Sequence, residues 1–259
     1  FVVASCGLAY ELIAGALSSY LLGDSVLQFS SIIGCYLFAM GVGSHLSKYV
    51  RDEDALARFI DIELLVGIVG GVSATLLFLL FAWMSAPFRT VLYALVFALG
   101  VLVGMEIPLV MRVLHNRQAQ FSELVSRVLT FDYLGALVVS LLFPLVLAPK
   151  LGLSRTGFLF GMANAAVALW TLWHYRAEVP GARGRFTRGV LAMAFLAIGL
   201  AASEHLTRWA ERGLFGDEVI YATTTPYQRI VVTRWKDDTR LHINGNLQFS
   251  SRDEHRYHE

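Results

Sequence analysis

Charge is what this sequence has least of. Asp, Glu, Lys and Arg make up 16% of its 259 residues, against about 25% in an ordinary soluble domain. A chain that is 56% hydrophobic by count has more apolar surface than one aqueous core can hide, which excludes a single water-soluble domain. The scarcity is uneven: residues 1–23, 25–46 and 60–84 hold almost no charge, while residues 204–259 are dense in Arg, Asp, Glu and His. Two environments follow, lipid first and water last. Cysteine is nearly absent. Cys6 and Cys35 both lie in apolar segments and read as small packing residues rather than a disulfide. No cluster has metal-ligand spacing, so no metal is expected. The net charge of +1 supplies no basic field, so no nucleic-acid partner is expected either. The first apolar run has no basic leader and six more follow it, which makes it a spanning helix rather than a signal peptide. The chain opens at Phe1 and closes at Glu259 inside what reads as a new helix, so both ends read as cut.

About 20 apolar residues cross a bilayer as a helix, which predicts seven spans near 2–22, 26–46, 62–84, 90–111, 130–148, 156–175 and 189–206. The seventh has an uninterrupted apolar core only from Val190 to Ala202, short enough to lie in the interface instead. Gly34, Gly41 and Gly43 in span two, Gly67, Gly70 and Gly71 in span three, and the Gly100-x-x-x-Gly104 pair in span four are residues that let helix backbones approach. A compact bundle is therefore expected. Lys48, Arg51 and Arg58, then Arg112, Arg117 and Arg127, then Arg176, Arg183, Arg185 and Arg188 follow the even spans, whereas only Arg89, Lys150 and Arg155 follow the odd ones. That asymmetry places the even-to-odd loops and the N-terminus in the cytoplasm. Seven spans would then leave the tail outside.

After Arg212 the period changes from helix to strand. Val219 to Thr223 is β-rich, Tyr227–Trp235 more so, and Lys236-Asp237-Asp238 reads as a polar turn. Leu241 and Ile243 alternate with Arg240 and His242, and Leu247 and Phe249 with Asn246 and Gln248, around Asn244-Gly245. Alternation on both sides of Asn-Gly is a hairpin signal. The meander should pair Tyr227–Trp235 with Arg240–Ile243 and the latter with Leu247–Ser250. Ser251-Arg252-Asp253-Glu254 fits a capping box, so a helix is expected from about Arg252. The predicted architecture is an α-helical polytopic membrane bundle over residues 1–210, followed over residues 216–259 by a small antiparallel β-meander that opens an α/β domain cut at Glu259.

The runs Thr225-Pro226-Tyr227-Gln228-Arg229-Ile230-Val231-Val232, Asn244-Gly245-Asn246-Leu247-Gln248-Phe249-Ser250-Ser251 and Arg252-Asp253-Glu254-His255-Arg256-Tyr257-His258-Glu259 are similar in order and spacing to the N-terminal region of the spermidine synthase (polyamine aminopropyltransferase) family. The resemblance covers about a sixth of the chain, residues 216–259. The family commonly has Asp-Gly where this chain has Asn244-Gly245, and either suits the left-handed turn. Some members carry a multi-span region before this domain, and Glu11-Leu12-Ile13-Ala14-Gly15 and Gly104-Met105-Glu106-Ile107-Pro108 look like theirs.

What the resemblance implies is aminopropyl transfer from decarboxylated S-adenosylmethionine, a co-substrate rather than a bound cofactor, to a diamine such as putrescine. By motif position Gln228 would contact the nucleoside, Tyr257 and His258 would line the polyamine and nucleoside pocket, and Gln248 is a weaker candidate of the same kind. The family's Gly-rich loop and proton-accepting aspartate would lie beyond Glu259, so no catalytic residue is assigned in this chain.

A second constellation is the acids of the spans, Glu11, Glu63, Glu106 and Asp132. An ionisable residue at mid-bilayer costs about 2.5–3.5 kcal/mol or more and is a functional candidate by default. Glu63, Glu106 and Asp132 should share one depth, there to bind a polycation, relay protons, or pair with Arg112, Arg127 and nearby tyrosines. Pro108 would free a backbone carbonyl beside Glu106. The reading is a membrane-anchored aminopropyltransferase, multi-pass in the cell (inner) membrane, with lipid, polyamine and nucleoside as partners and a homo-oligomer possible. The alternative is a polyamine or cation transporter or sensor fused to a synthase-like module.

Overall fold

The computed structural model describes residues 1–84, 87–115, 121–225, 229–243 and 245–253. Seven helices long and apolar enough to cross a membrane occupy most of it: α1 Val2–Leu22, α2 Ser25–Leu46, α3 Ala55–Trp83, α4 Phe88–His115, α5 Phe121–Leu142, α6 Leu153–His174 and α7 Ala182–Phe215. All seven expected segments are helical, each within a few residues of its expected bounds except the third, fifth and seventh. α3 starts seven residues before its expected start of 62. The fifth starts at Phe121 and leaves α geometry at Phe143, continuing as a π-helical segment, Phe143–Leu151, that contains Pro144 and Pro149. Neither proline has an N–H to donate to an i→i−4 bond, which favours the change of register.

The seventh helix departs most from expectation. It has 34 residues, about 51 Å at 1.5 Å per residue, where a hydrocarbon core is about 30 Å thick. α7 also packs along α6 and α3 rather than lying apart from them. Leu196 is fully buried, and its side chain lies beside Gly71 and Gly161. At one end of the bundle Arg185 of α7 grips Asp61 of α3 through two hydrogen bonds of 2.9 Å.

Helix contact is set by glycine. A Cβ built on Gly43 of α2 would stand 1.9 Å from the carbonyl oxygen of Val101 in α4, and one on Gly104 would stand 2.2 Å from that of Met40. Gly100 faces Ala39 and Tyr36 in the same way, so the small-xxx-small pair forms the α2–α4 seam. Gly67, Gly70 and Gly71 of α3 meet Gly161, Tyr10 and Leu196 respectively. Gly34 and Gly41 correct the expectation, since nothing lies within 4 Å of a Cβ on either. Cys6 and Cys35 are free, and Cys6 Sγ donates to the Phe160 carbonyl at 3.6 Å.

Four strands follow: β1 Glu218–Thr224, β2 Arg229–Trp235, β3 Asp238–Ile243 and β4 Asn246–Ser250. They form one antiparallel sheet in the order β1-β2-β3-β4, the expected meander with β1 added on one edge. Lys236, at φ 58°, begins the β2–β3 turn, and Gly245, at φ 78°, takes the left-handed conformation that the second hairpin needs. Asn244 lies outside the described residues. So does all of the expected terminal helix after Asp253; Ser251 and Arg252 form a turn. The sheet sits at the end of the bundle reached by the C-termini of α1 and α7.

Candidate functional site

The sheet's two faces follow from its register. Val231 pairs with His242, Thr233 with Arg240 and Trp235 with Asp238, and Ser250 lies opposite Arg240, so these residues share one face. Ile230, Val232, Leu241, Ile243 and Phe249 share the other. Alternation alone would bury the apolar face. The structure instead buries Val231, Thr233, Asp238, His242 and Ser250 and leaves Leu241 and Ile243 only half-buried. A bulge between Leu241 and His242 shifts the β3–β4 register, and Phe215 at the end of α7 covers the His242 ring at 4.5 Å between centroids.

That polar face is closed by hydrogen bonds. Asp238 accepts from Arg240 Nε at 2.7 Å and from the hydroxyls of Ser250 and Ser251 at 2.9 and 3.1 Å. Arg240 also donates to Asp217 at 3.0 Å and lies over the Trp235 ring. Thr233 Oγ1 stands 3.2 Å from His242 Nε2, whereas His242 Nδ1 is buried without a partner among the described residues. Burial pushes the Asp238 carboxyl up, but the bonds from Arg240, Ser250 and Ser251 outweigh it and hold the group at about 2. Burial lowers His242, against the opposing charge of Asp217. The set is a structural clasp for the meander; Asp238 was expected in an exposed turn and instead starts β3.

Of the motif residues, Gln248 is exposed on β4, alternating with the half-buried Leu247 and Phe249. Gln228, Tyr257 and His258 lie outside the described residues.

The acids of the long apolar helices separate into two kinds. Glu63 of α3 and Glu106 of α4 are buried, at 0% and 2% exposure, while Glu11 and Asp132 are partly exposed. Glu63 Oε2 accepts from Asn164 Nδ2 at 2.9 Å, and Asn164 Oδ1 in turn accepts from the Tyr10 hydroxyl at 3.3 Å. Glu106 lies within electrostatic reach of Glu63 and Asp132. Arg112 and Arg127 are engaged elsewhere, Arg112 with the Val50 carbonyl at 2.8 Å and Arg127 with Glu123 at 2.6 Å. Asn164 and Tyr10 were not singled out from the sequence, although a lone Asn inside an apolar span is itself a signal of an interhelical bond.

No protein-family model and no solved structure matches the chain. Along its whole length it is 74% identical to polyamine aminopropyltransferase 2 of Ralstonia nicotianae, covering 52% of that protein. It is 51% identical to polyamine aminopropyltransferase of Leptospira interrogans, covering 51%, and 37% identical to that of Oceanobacillus iheyensis, covering 50%. The chain spans about half the length of the curated relatives it matches, and by that match it belongs to the polyamine aminopropyltransferase (spermidine synthase) family.

Proposed function

We propose that this chain is the membrane-anchoring part of an aminopropyltransferase, which takes the aminopropyl group of decarboxylated S-adenosylmethionine to putrescine or a similar amine. The observation that carries the reading is the 74% identity along all of the chain to a protein named for that transfer. In the reaction a neutral amine nitrogen attacks the methylene carbon beside the sulfonium, the carbon–sulfur bond breaks, methylthioadenosine leaves, and the new ammonium gives up a proton to a base. Positioning a nucleoside and a cationic amine in line is the main requirement. Gln228, Tyr257 and His258 are the residues assigned to that pocket, with Gln248 as a further contact from its exposed position on β4. In the whole protein, Gln228→Ala or His258→Ala should lower kcat/KM by about 10-fold or more while the bundle stays folded. Unchanged kinetics in both variants would remove these residues from the site.

Anchoring is supported by the outer surface of the bundle. Leu37, Phe38, Leu137, Leu141, Trp170 and Ile198 are each more than half exposed, and an apolar belt of this extent suits lipid. All seven helices would cross, placing the sheet on the side opposite the Arg-rich loops, outside the cytoplasm. A cysteine-free protein carrying Asp237→Cys should then react with a membrane-impermeant thiol reagent on intact cells, and one carrying Arg183→Cys should not. Protection at position 237 would return the sheet to the cytoplasmic side.

A further inference from the structure

We propose that Glu63 and Glu106 form a proton-binding site in the interior of the helical bundle, holding one proton between them. Both carboxyls are buried, and each has one oxygen, Oε1, with no hydrogen-bond partner among the described residues. Asn164 donates to the other oxygen of Glu63 and is itself held by Tyr10, so Glu63 is positioned through one oxygen while Oε1 of each acid is left without a donor. Two carboxylates within electrostatic reach of each other, out of water and without a cation, are untenable as a doubly charged pair. A proton removes one charge and supplies the donor that the open oxygens lack.

The surroundings offer no substitute. Among the described residues Asp132 of α5 acts on Glu106, and the acids are felt in turn by Cys6 and Tyr10 of α1 and by Tyr36 of α2, with Glu11 also reaching Tyr36. α6 presents the neutral Asn164, and Arg185 of α7 is taken by Asp61. Among the described residues no side-chain cation acts on Glu63. No described residues are grouped to hold a metal ion, and neither the cavity beside Tyr20 and Arg155 nor that beside Leu124 and Phe131 is lined by Glu63 or Glu106. A proton is the ligand that fits a closed site of this kind. Pro108, two residues after Glu106 in α4, cannot bond the Gly104 carbonyl.

The test is infrared spectroscopy of the full-length protein in lipid at neutral pH, independent of any transferase activity. A protonated-carboxyl C=O band that shifts in D2O is expected, and it should be lost in the Glu63→Gln/Glu106→Gln variant. Gln mimics the neutral acid, so the double variant should melt no lower than the wild type. Because the bound proton stabilises the folded form, the wild-type melting temperature should fall as pH rises into the alkaline range. In the double variant that fall should be absent. A wild-type spectrum without the band overturns the proposal whether or not the variants fold, as does the same alkaline loss in both proteins.

Discussion

Gly43→Leu should abolish the folded bundle. A Cβ at that position meets the Val101 carbonyl oxygen at 1.9 Å and its carbon at 2.8 Å, and these are backbone atoms that no rotamer change can move. Overpacking ordinarily costs about 1–3 kcal/mol, and more where the obstacle cannot give. α2 and α4 would have to separate along the seam where Gly100 and Gly104 also meet the Tyr36 and Met40 carbonyls. In the proposed membrane setting helices gain little from hydrophobic burial and depend on close packing, so opening one seam removes much of what holds α2. The control lies on the same helix: Gly34→Ala and Gly41→Ala, where nothing stands within 4 Å, should be neutral or stabilise by about 0.5–1 kcal/mol through helix propensity. Purification in detergent followed by size-exclusion and thermal melting reads all three. A Gly43→Leu protein that melts like the wild type would show that this seam does not support the fold.

Asp238→Ala should release the meander while leaving the bundle intact. Three donors, from Arg240, Ser250 and Ser251, converge on that carboxylate, and its removal leaves the buried Ser250 hydroxyl of β4 unmatched and takes one acceptor from the half-buried Arg240 of β3. Such donors cost more than a lost bond gains. Amide exchange in β3 and β4 should accelerate by about 10-fold or more, with the helices unchanged. Acid should act in the same way. The Asp238 carboxyl is held at about 2 in the folded chain, below its usual value near 4, so its contribution is complete above about pH 4 and is lost as pH falls toward 2. His242, lowered chiefly by burial, acts in the same direction, since charging it also opposes the fold. Exchange in β3 and β4 that is insensitive both to Asp238→Ala and to pH between about 4 and 2 would assign the clasp no role.

The positions of seven helices and of the meander are legible in residues 1–250 because both signals are local. A run of span length with almost no charge satisfies its own backbone only as a helix in an apolar medium, and period-two alternation around Asn244-Gly245 leaves a hairpin as the simplest solution. Glu63 and Glu106 are likewise conspicuous as acids in apolar runs. Their pairing across α3 and α4, and the Asn164 bond spanning 101 positions of sequence, depend on helix rotation, which near-uniformly apolar helices do not encode. The same ambiguity hid which glycines face a neighbour: Gly41 and Gly43 are two residues apart, and two residues turn a helix through about 200°. Arg188 and Glu204 bound an apolar core that is short for a span, yet α7 runs from Ala182 to Phe215 and packs on α3 and α6. In the sheet, the face that packs under Phe215 at the end of α7 carries His242 inside, where alternation alone offers Leu241 and Ile243. Local chemistry determined which elements form; long-range packing alone decided which of their faces meet.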